Sequence, residues 1–215
     1  MGKTGMDIVT LDFETAYGSK LKLGFKYQTT QQYLNDPRFE IIGVATKINK
    51  APTLWGIGRQ ERHLKSIDWE NSALVAHNAL FDATILAWHY GIKPKMIIDT
   101  LSMARAIHGV DAGGSLAALV ERYGLGAKGT EVLDAKGKQR TGFTSAELAR
   151  YGEYCKNDVE LTLKLFRVLV ENFPEDELQL IDMTLKMFIQ PVLELDDALL
   201  VDRLAEVRAE KQALL

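Results

Sequence analysis

Two acids stand at the end of the first apolar run of the sequence, where residues 9–15 read "VTLDFET". Side chains alternate between the two faces of a strand, so Asp12 and Glu14 share one face and the neighbouring apolar residues the other. Two carboxylates on one face repel each other, and burying unpaired charge is costly. The pair therefore predicts a positively charged partner close by.

The pattern Asp-x-Glu is weak by itself, because the chain contains it three times. Asp68 and Glu70 belong to a polar stretch for which we predict a solvated turn, and the third pair is Asp158-x-Glu160. The first pair differs in context, because it closes a strand. Open α/β sheets place their ligands at that end of their strands.

Further acids lie at helical spacing from polar partners. Asp82 follows Asn78 by four residues in "HNALFDATIL", so both side chains share one helix face. The alternative is that Asn78 caps the helix and Asp82 is a first-turn acid favoured by the helix dipole. Tyr154 and Asp158 are also four apart, and their alternative is a half-buried tyrosine beside a surface acid. Apolar neighbours of Asp158 favour a covered position.

The strand-end acid pair, the Asn/Asp pair and the Tyr/Asp pair form three motifs along the chain. Their order and spacing resemble the exonuclease motifs of the DnaQ-like (DEDD) 3′–5′ exonucleases, over roughly residues 6–173. The histidine subclass of that superfamily has a histidine where this chain has Glu153, so the resemblance is to the tyrosine subclass (DEDDy). Within it, "LVAHNALFD" and "YCKNDVELTLKLF" resemble the proofreading domain of family A (Pol I-like) DNA polymerases, of phage type. The motifs are Asp12-Phe13-Glu14, Asn78-x-x-Phe81-Asp82 and Tyr154-x-x-x-Asp158.

The resemblance implies a two-metal phosphodiester hydrolase that releases nucleoside 5′-monophosphates from DNA 3′ ends. Carboxylate oxygens suit two Mg²⁺ or Mn²⁺ ions, whereas the absence of a Cys/His cluster argues against zinc. By the resemblance, Tyr154 orients the attacking water. We therefore expect magnesium ions, and not a lysine or arginine, as the partner of the first acid pair. The implied metal ligands are Asp12, Glu14, Asp82 and Asp158.

The elements that must position these residues predict an α/β fold. Residues 39–48 and 52–57 are predicted as an antiparallel hairpin, and 72–78 and 95–100 as later strands. Helices are predicted around them, including a long one after Thr144 with a capping box. Together with the resemblance, this indicates a ribonuclease H-like mixed sheet flanked by helices.

Two domains are expected along the chain. Residues 1–173 form the exonuclease domain, and residues 174–215 form a helical extension of two amphipathic runs that resembles the start of a polymerase domain. We therefore expect the chain to be covalently continuous with a polymerase domain.

Binding of a single strand needs stacking surfaces and local positive charge. The glycine-rich segment 124–143 carries four basic residues and is predicted as a basic loop. For each aromatic candidate, packing in the core is the alternative role. The candidate nucleic-acid-binding residues are Asn78, Phe81, Tyr17, Lys128, Lys136, Lys138 and Arg140.

Bulk composition is that of an ordinary soluble globular protein, with 47% hydrophobic residues and a net charge of −3. No apolar run approaches the length of a membrane span, so no membrane partner is expected. The lone Cys155 excludes an internal disulfide and suits a reducing compartment. We expect a cytoplasmic monomer, in a bacterial or phage-infected cell, acting on single-stranded or frayed DNA 3′ ends.

Two alternatives to DNA proofreading stay open. One keeps the chemistry and changes the substrate, to a stand-alone RNA 3′–5′ exonuclease of the same superfamily. The other is a catalytically silent module that binds nucleic acid or a protein partner. Retention of all five motif residues argues against the second alternative.

Overall fold

The computed structural model describes residues 5–58, 60–129 and 137–214. Within these ranges, one mixed sheet has the strand order β3-β2-β1-β4-β5. Strand β1 pairs antiparallel with β2 and parallel with β4, while β2–β3 is antiparallel and β4–β5 parallel. The predicted fold class, with an early hairpin and later parallel strands, is confirmed. The strands are β1 (Asp7–Thr15), β2 (Ile41–Ile48), β3 (Leu54–Gly56), β4 (Ser72–Ala76) and β5 (Met96–Asp99).

Helices cover both faces of the sheet. The predicted capping box is confirmed: the Thr144 hydroxyl accepts from the Glu147 N–H, and the Glu147 carboxylate accepts from the Thr144 N–H. The helices are α1 (Thr30–Leu34), α2 (Gln60–Lys65), α3 (Ala79–Tyr90), α4 (Thr100–His108), α5 (Leu116–Arg122), α6 (Ser145–Leu169), α7 (Glu175–Ile189) and α8 (Asp197–Ala213).

The alternation predicted for β1 divides the molecule into two layers. Val9, Leu11 and Phe13 are buried in a core formed with α3 and α7. The opposite face of the sheet packs against α4, α5 and α6, with Val75 and Ile98 among its buried residues. The acid-bearing face of β1 is therefore turned toward α6.

The two helices of the C-terminal segment differ in their packing. Helix α7 buries Leu178, Leu185 and Ile189 in the cores beside the sheet. Its Asp182 carboxylate accepts a hydrogen bond of 2.8 Å from the Ile97 N–H of β5. Helix α8 has no buried residue among those the structure describes. None of the described helices is long and apolar enough to cross a membrane.

Candidate active site

Strand β1 extends beyond the end of its parallel neighbour β4. Main-chain groups of β1 near the acids therefore have no partner in β4. Pairing with β4 ends at Thr10, whereas pairing with β2 continues to Thr15. Beyond the end of β4, the Phe13 N–H donates a 3.0 Å hydrogen bond to Asp82 Oδ1. The Asp82 carboxylate thus replaces a missing strand and ties the first turn of α3 to the strand between Asp12 and Glu14.

The start of α3 is fixed by an acid that the motifs did not indicate. Asn78 lies in the left-handed region at φ 64°. Asp99 Oδ1 accepts hydrogen bonds from the Asn78 N–H at 2.8 Å and the Ala79 N–H at 3.1 Å. Asn78 is the N-cap residue of α3 and Asp82 lies in the first turn, as the capping alternative predicts, but the Asn78 side chain makes no cap hydrogen bond. Asn78 is exposed at the start of α3, the helix that carries Asp82.

Helix α6 presents its polar residues to the acid face of β1. Residues three, four and seven apart share one face of a helix, and Tyr151, Tyr154, Cys155 and Asp158 have this spacing. Tyr154 is 5% exposed and Asp158 4%. The alternative of a half-buried tyrosine beside a surface acid is therefore wrong, and the covered position predicted for Asp158 is confirmed.

Close approach of α6 to the sheet depends on Gly152. A Cβ atom at this position would lie 2.5 Å from Cδ1 of Trp55, which is nearer than side chains tolerate. The indole of β3 therefore packs directly against the helix backbone. This contact sets how close the polar face of α6 comes to β1.

Burial and mutual repulsion control the protonation of the first three acids. Burial, followed by the charge of Asp158, raises the pKa of Asp12 from 3.8 to about 7. Burial and the neighbouring Asp12 raise the pKa of Glu14 well above its usual value, against the opposing hydrogen bond from Tyr151. The pKa of Asp82 is raised for the same two reasons, burial and Asp12. The charge of Lys128 opposes the rise in pKa at Asp12 and Glu14 but does not outweigh burial and repulsion.

One lysine does reach the fourth acid. Lys128 Nζ lies 2.8 Å from Asp158 Oδ2 and 5.4 Å from the centre of the Tyr154 ring. Burial raises the pKa of Asp158, and Lys128 opposes that rise. Asp158 Oδ1 is buried and accepts no hydrogen bond from any described residue. Among the described residues, this ion pair is made with Asp158 and not with Asp12 or Glu14, the pair for which magnesium ions are the predicted partner.

A thiol completes the cluster around Asp12. Cys155 Sγ lies 3.4 Å from both the main-chain oxygen and Oδ2 of Asp12, and donates to them. Burial and the charge of Asp12 raise the pKa of the Cys155 thiol, so it stays protonated. One carboxylate oxygen each of Asp12 and Glu14 and this sulfur lie within 4.8 Å of one another. The atoms able to hold a hard cation here are the carboxylate oxygens.

An aromatic cavity opens beside the end of β1. Phe81 stacks on Tyr33, with ring centres 5.9 Å apart and planes within 1°. Phe25 meets both rings edge-on and is 55% exposed. The cavity has a volume of about 220 Å³ and is lined by Thr15, Tyr17, Gly24, Phe25, Tyr33 and Phe81.

Two of the other basic candidates contact acids outside the motifs. Lys138 Nζ lies 2.8 Å from Glu147 and 5.2 Å from the centre of the Phe143 ring. Arg140 contacts Glu40 through its main-chain N–H. Lys136 lies outside the described residues. Nucleic-acid binding by these three residues stays a prediction.

A mixed sheet with acids gathered at the end of its first strand places the chain in the ribonuclease H-like class of nucleases. The sequence model of a family described as 3′-5′ exonuclease (DNA_pol_A_exo1) matches residues 60–173. The chain belongs to this 3′-5′ exonuclease family. The matched range includes Asp82, Tyr154 and Asp158.

Solved structures with the same fold include proteins from Brucella melitensis and Trypanosoma brucei. Brucella melitensis NrnC is 17% identical, with a TM-score of 0.61 and coverage of 87% of this chain and 84% of NrnC. NrnC has also been solved with bound Mg²⁺ and bound to pGG. Trypanosoma brucei RNase D in complex with RNA U12 is 15% identical, with a TM-score of 0.63 and coverage of 89% and 67%. No curated protein sequence matches the chain.

Proposed function

We propose that the chain is a divalent-metal-dependent exonuclease that shortens single-stranded RNA from its 3′ end and releases nucleoside 5′-monophosphates. The observation that carries this proposal is the convergence of four acids from β1, α3 and α6, with a single lysine compensating them among the described residues. One lysine leaves most of this negative charge uncompensated, and burying such a cluster is costly unless cations join it. The acids are Asp12, Glu14, Asp82 and Asp158.

Divalent cations fit this cluster better than other partners. The donors are carboxylate oxygens, Asp158 Oδ1 has no described hydrogen-bond donor, and the one nearby sulfur is a protonated thiol. Hard oxygen donors select Mg²⁺ or Mn²⁺. When bound, two such ions would supply an activated water and charge neutralisation for an in-line phosphoryl displacement.

The protein's own groups orient the reactants. Burial, followed by the charge of Asp158, raises the pKa of Tyr154, so its hydroxyl stays protonated at neutral pH. A protonated hydroxyl on the acid-facing side of α6 can orient a water molecule by hydrogen bonding. Asp82 is held by the Phe13 N–H and Asp12 by Cys155, so both carboxylates have fixed directions. This preorganisation is what transition-state stabilisation requires.

The aromatic cavity supports a single-stranded substrate. Unpaired bases stack on aromatic side chains, and each such contact contributes about 1–3 kcal/mol to binding. Tyr17, Phe25 and Phe81 line the cavity. Thr15, the residue directly after Glu14, also lines it, so the cavity lies next to the acids. A terminal nucleotide separated from its partner strand can therefore stack here while its phosphodiester lies at the acids.

RNA is favoured as the substrate by the structural relatives. NrnC has been solved bound to pGG, and RNase D in complex with RNA U12. The likeness covers 87% of this chain for NrnC and 89% for RNase D.

DNA proofreading is the second candidate, and helix α8 favours it. Its apolar residues Leu199, Leu200 and Val201 are exposed, and the described structure gives them no partner. A helix of this kind is suited to packing against a further domain, as the extension 174–215 would do in a polymerase. The two candidates share the same chemistry and differ in the sugar of the substrate.

A direct test uses 5′-labelled RNA and DNA oligonucleotides of the same sequence, each with Mg²⁺, with Mn²⁺ or with EDTA. We expect a ladder that shortens stepwise from the 3′ end, faster on RNA, and absent with EDTA. The Asp12→Asn variant should fold and give no ladder, whereas Glu70→Gln, at an exposed position of a short 3₁₀ helix, should behave as wild type.

The outcomes separate the candidates. Faster shortening of DNA would favour proofreading, since the 2′-OH is the only difference between the substrates. Binding of either oligonucleotide without metal-dependent shortening would refute the exonuclease proposal and favour a silent binding module.

A further inference from the structure

A second tyrosine on α6 contacts an acid of the site. Tyr151 lies one turn before Tyr154 and two turns before Asp158, on the same helix face. It is 2% exposed, and its hydroxyl donates a hydrogen bond to Glu14 Oε2. The exonuclease motif contains only the later tyrosine, so Tyr151 has no assigned part in the chemistry.

The Tyr151 ring is held on three sides. It stacks on Phe143 at 5.8 Å between ring centres and on Tyr154 at 6.1 Å, with planes within 8° and 17°. Trp55 meets it edge-on at 6.4 Å. Because the ring cannot swing, its hydroxyl has one direction. The hydrogen bond therefore sets the orientation of Glu14 and does not merely follow it.

Among the described residues, Tyr151 alone donates a hydrogen bond to the Glu14 carboxylate. Glu14 is the last acid of β1, and the register of that strand shifts between Glu14 and Thr15, where a bulge begins. A glutamate has three rotatable side-chain bonds, and a fixed donor at one oxygen removes that freedom. Because a carboxylate is planar, holding Oε2 also directs the other oxygen. One oxygen of Glu14 lies within 4.8 Å of a carboxylate oxygen of Asp12.

We propose that Tyr151 is a positioning residue that holds the Glu14 carboxylate in the direction needed to bind a divalent cation together with Asp12. This inference rests on the proposed function, because it gives Glu14 the part of a metal ligand. Tyr151 itself touches neither substrate nor cation. Groups that orient a ligand in this way change metal affinity when they are removed.

The test compares Tyr151→Phe with Tyr154→Phe, two variants that each lose one hydroxyl and keep a packed ring. Mn²⁺ binding is measured by calorimetry without nucleic acid, and turnover of labelled RNA is measured over a range of Mn²⁺ concentrations. Tyr151→Phe should bind Mn²⁺ about tenfold more weakly. Its kcat should recover as Mn²⁺ is raised, and its KM for RNA should not change.

Tyr154→Phe should show the opposite pattern. Its Mn²⁺ affinity should match wild type, and no concentration of Mn²⁺ should restore its kcat, because the lost hydroxyl orients water. Glu14→Gln provides a second check. If Tyr151 acts through Glu14, adding Tyr151→Phe to Glu14→Gln should weaken Mn²⁺ binding no further.

Three results would overturn the inference: unchanged Mn²⁺ affinity in Tyr151→Phe, a kcat that added Mn²⁺ does not restore, or a further loss of affinity in the double variant. These results are distinct from failure of the proposed function. If the proposed function were wrong, the wild-type protein itself would neither bind Mn²⁺ nor shorten RNA, and the inference about Tyr151 would also be refuted.

Discussion

Lys128 Nζ lies 2.8 Å from Asp158 Oδ2, and it joins the segment after α5 to the acid face of α6. The Lys128 side chain is 27% exposed and that of Asp158 6%, so the pair is largely shielded from water. No other lysine or arginine in the described ranges forms an ion pair with the four acids. In the metal-free protein, Lys128 therefore supplies part of the positive charge that the site requires.

Replacing Lys128 by methionine should destabilise the metal-free protein and enlarge its response to metal. Loss of the ammonium group leaves Asp158 without its ion-pair partner, which should lower the free energy of unfolding by about 1–3 kcal/mol, between the values for exposed and buried pairs. Added Mn²⁺ should then raise the melting temperature more than in wild type, because the ion replaces the lost charge. Thermal unfolding at pH 8, with EDTA and with Mn²⁺, measures both effects.

Lys138→Met is the matched control for that substitution. Lys138 pairs with Glu147 at a partly exposed position away from the acids, where such pairs contribute about 0–1 kcal/mol. An equal Mn²⁺-induced shift in both lysine variants would contradict a role for Lys128 at the acid site.

Stability of the metal-free protein should fall as the pH rises through the pKa of Asp12. The folded protein holds this proton up to a pKa of about 7, whereas the unfolded chain releases it near 3.8. Between these values the folded state binds more protons, so raising the pH favours unfolding. Asp12→Asn should therefore be more stable than wild type at pH 8 by roughly 1–3 kcal/mol. Urea unfolding in EDTA between pH 4 and pH 8 measures the difference.

The difference between wild type and Asp12→Asn should shrink toward pH 4, where the wild-type carboxyl is protonated in the folded state. Glu70→Gln, at an exposed position of a short 3₁₀ helix, should show no such trend. A difference that is equal at both ends of this pH range would show that the Asp12 charge is not the cause.

Local signals in the sequence were enough to predict most of the fold. Alternation identified β1, and the capping box at Thr144 identified the start of α6. Helix α1 was missed, although Thr29 and Gln32 form a capping box that could have indicated it. Its position depends on tertiary contacts of Tyr33, whose hydroxyl bonds to the Ala16 carbonyl and to Thr15, and no periodic pattern encodes these contacts.

The acids could be predicted because each motif is short and its spacing is local. Their partners could not, because those contacts join segments far apart in the chain. Tyr151 and Glu14 are separated by 137 positions, and Asp99 and Asn78 by 21. Lys128 was identified only as one of several basic loop residues. Which of them reaches an acid is decided by the path of the loop, for which the sequence carries no periodic signal.

Gly152→Ala should move α6 away from the sheet. The added Cβ would lie 2.5 Å from the Trp55 indole, and overpacking of this kind costs about 1–3 kcal/mol. Because Tyr154 and Asp158 lie on the same helix, kcat should fall as well. Urea unfolding and steady-state kinetics measure the two effects.

Gly142→Ala is the matched control for that substitution. At Gly142 an added Cβ meets Lys138 Cβ at an ordinary 3.8 Å, so this variant should leave stability and kcat unchanged. A Gly152→Ala variant that matches this control would refute the close-packing argument.

Phe25→Ala should weaken binding of single-stranded RNA without impairing the chemistry. Phe25 is 55% exposed at the aromatic cavity, so its loss should cost little stability. Loss of one stacking contact of about 1.4 kcal/mol corresponds to a KM about tenfold higher, with kcat unchanged. Tyr27→Ala removes a ring that is 41% exposed and does not line the cavity, so its KM should stay at the wild-type value. Initial rates of shortening over a range of RNA concentrations give both constants. An equal KM for the two variants would show that the cavity does not hold the terminal base.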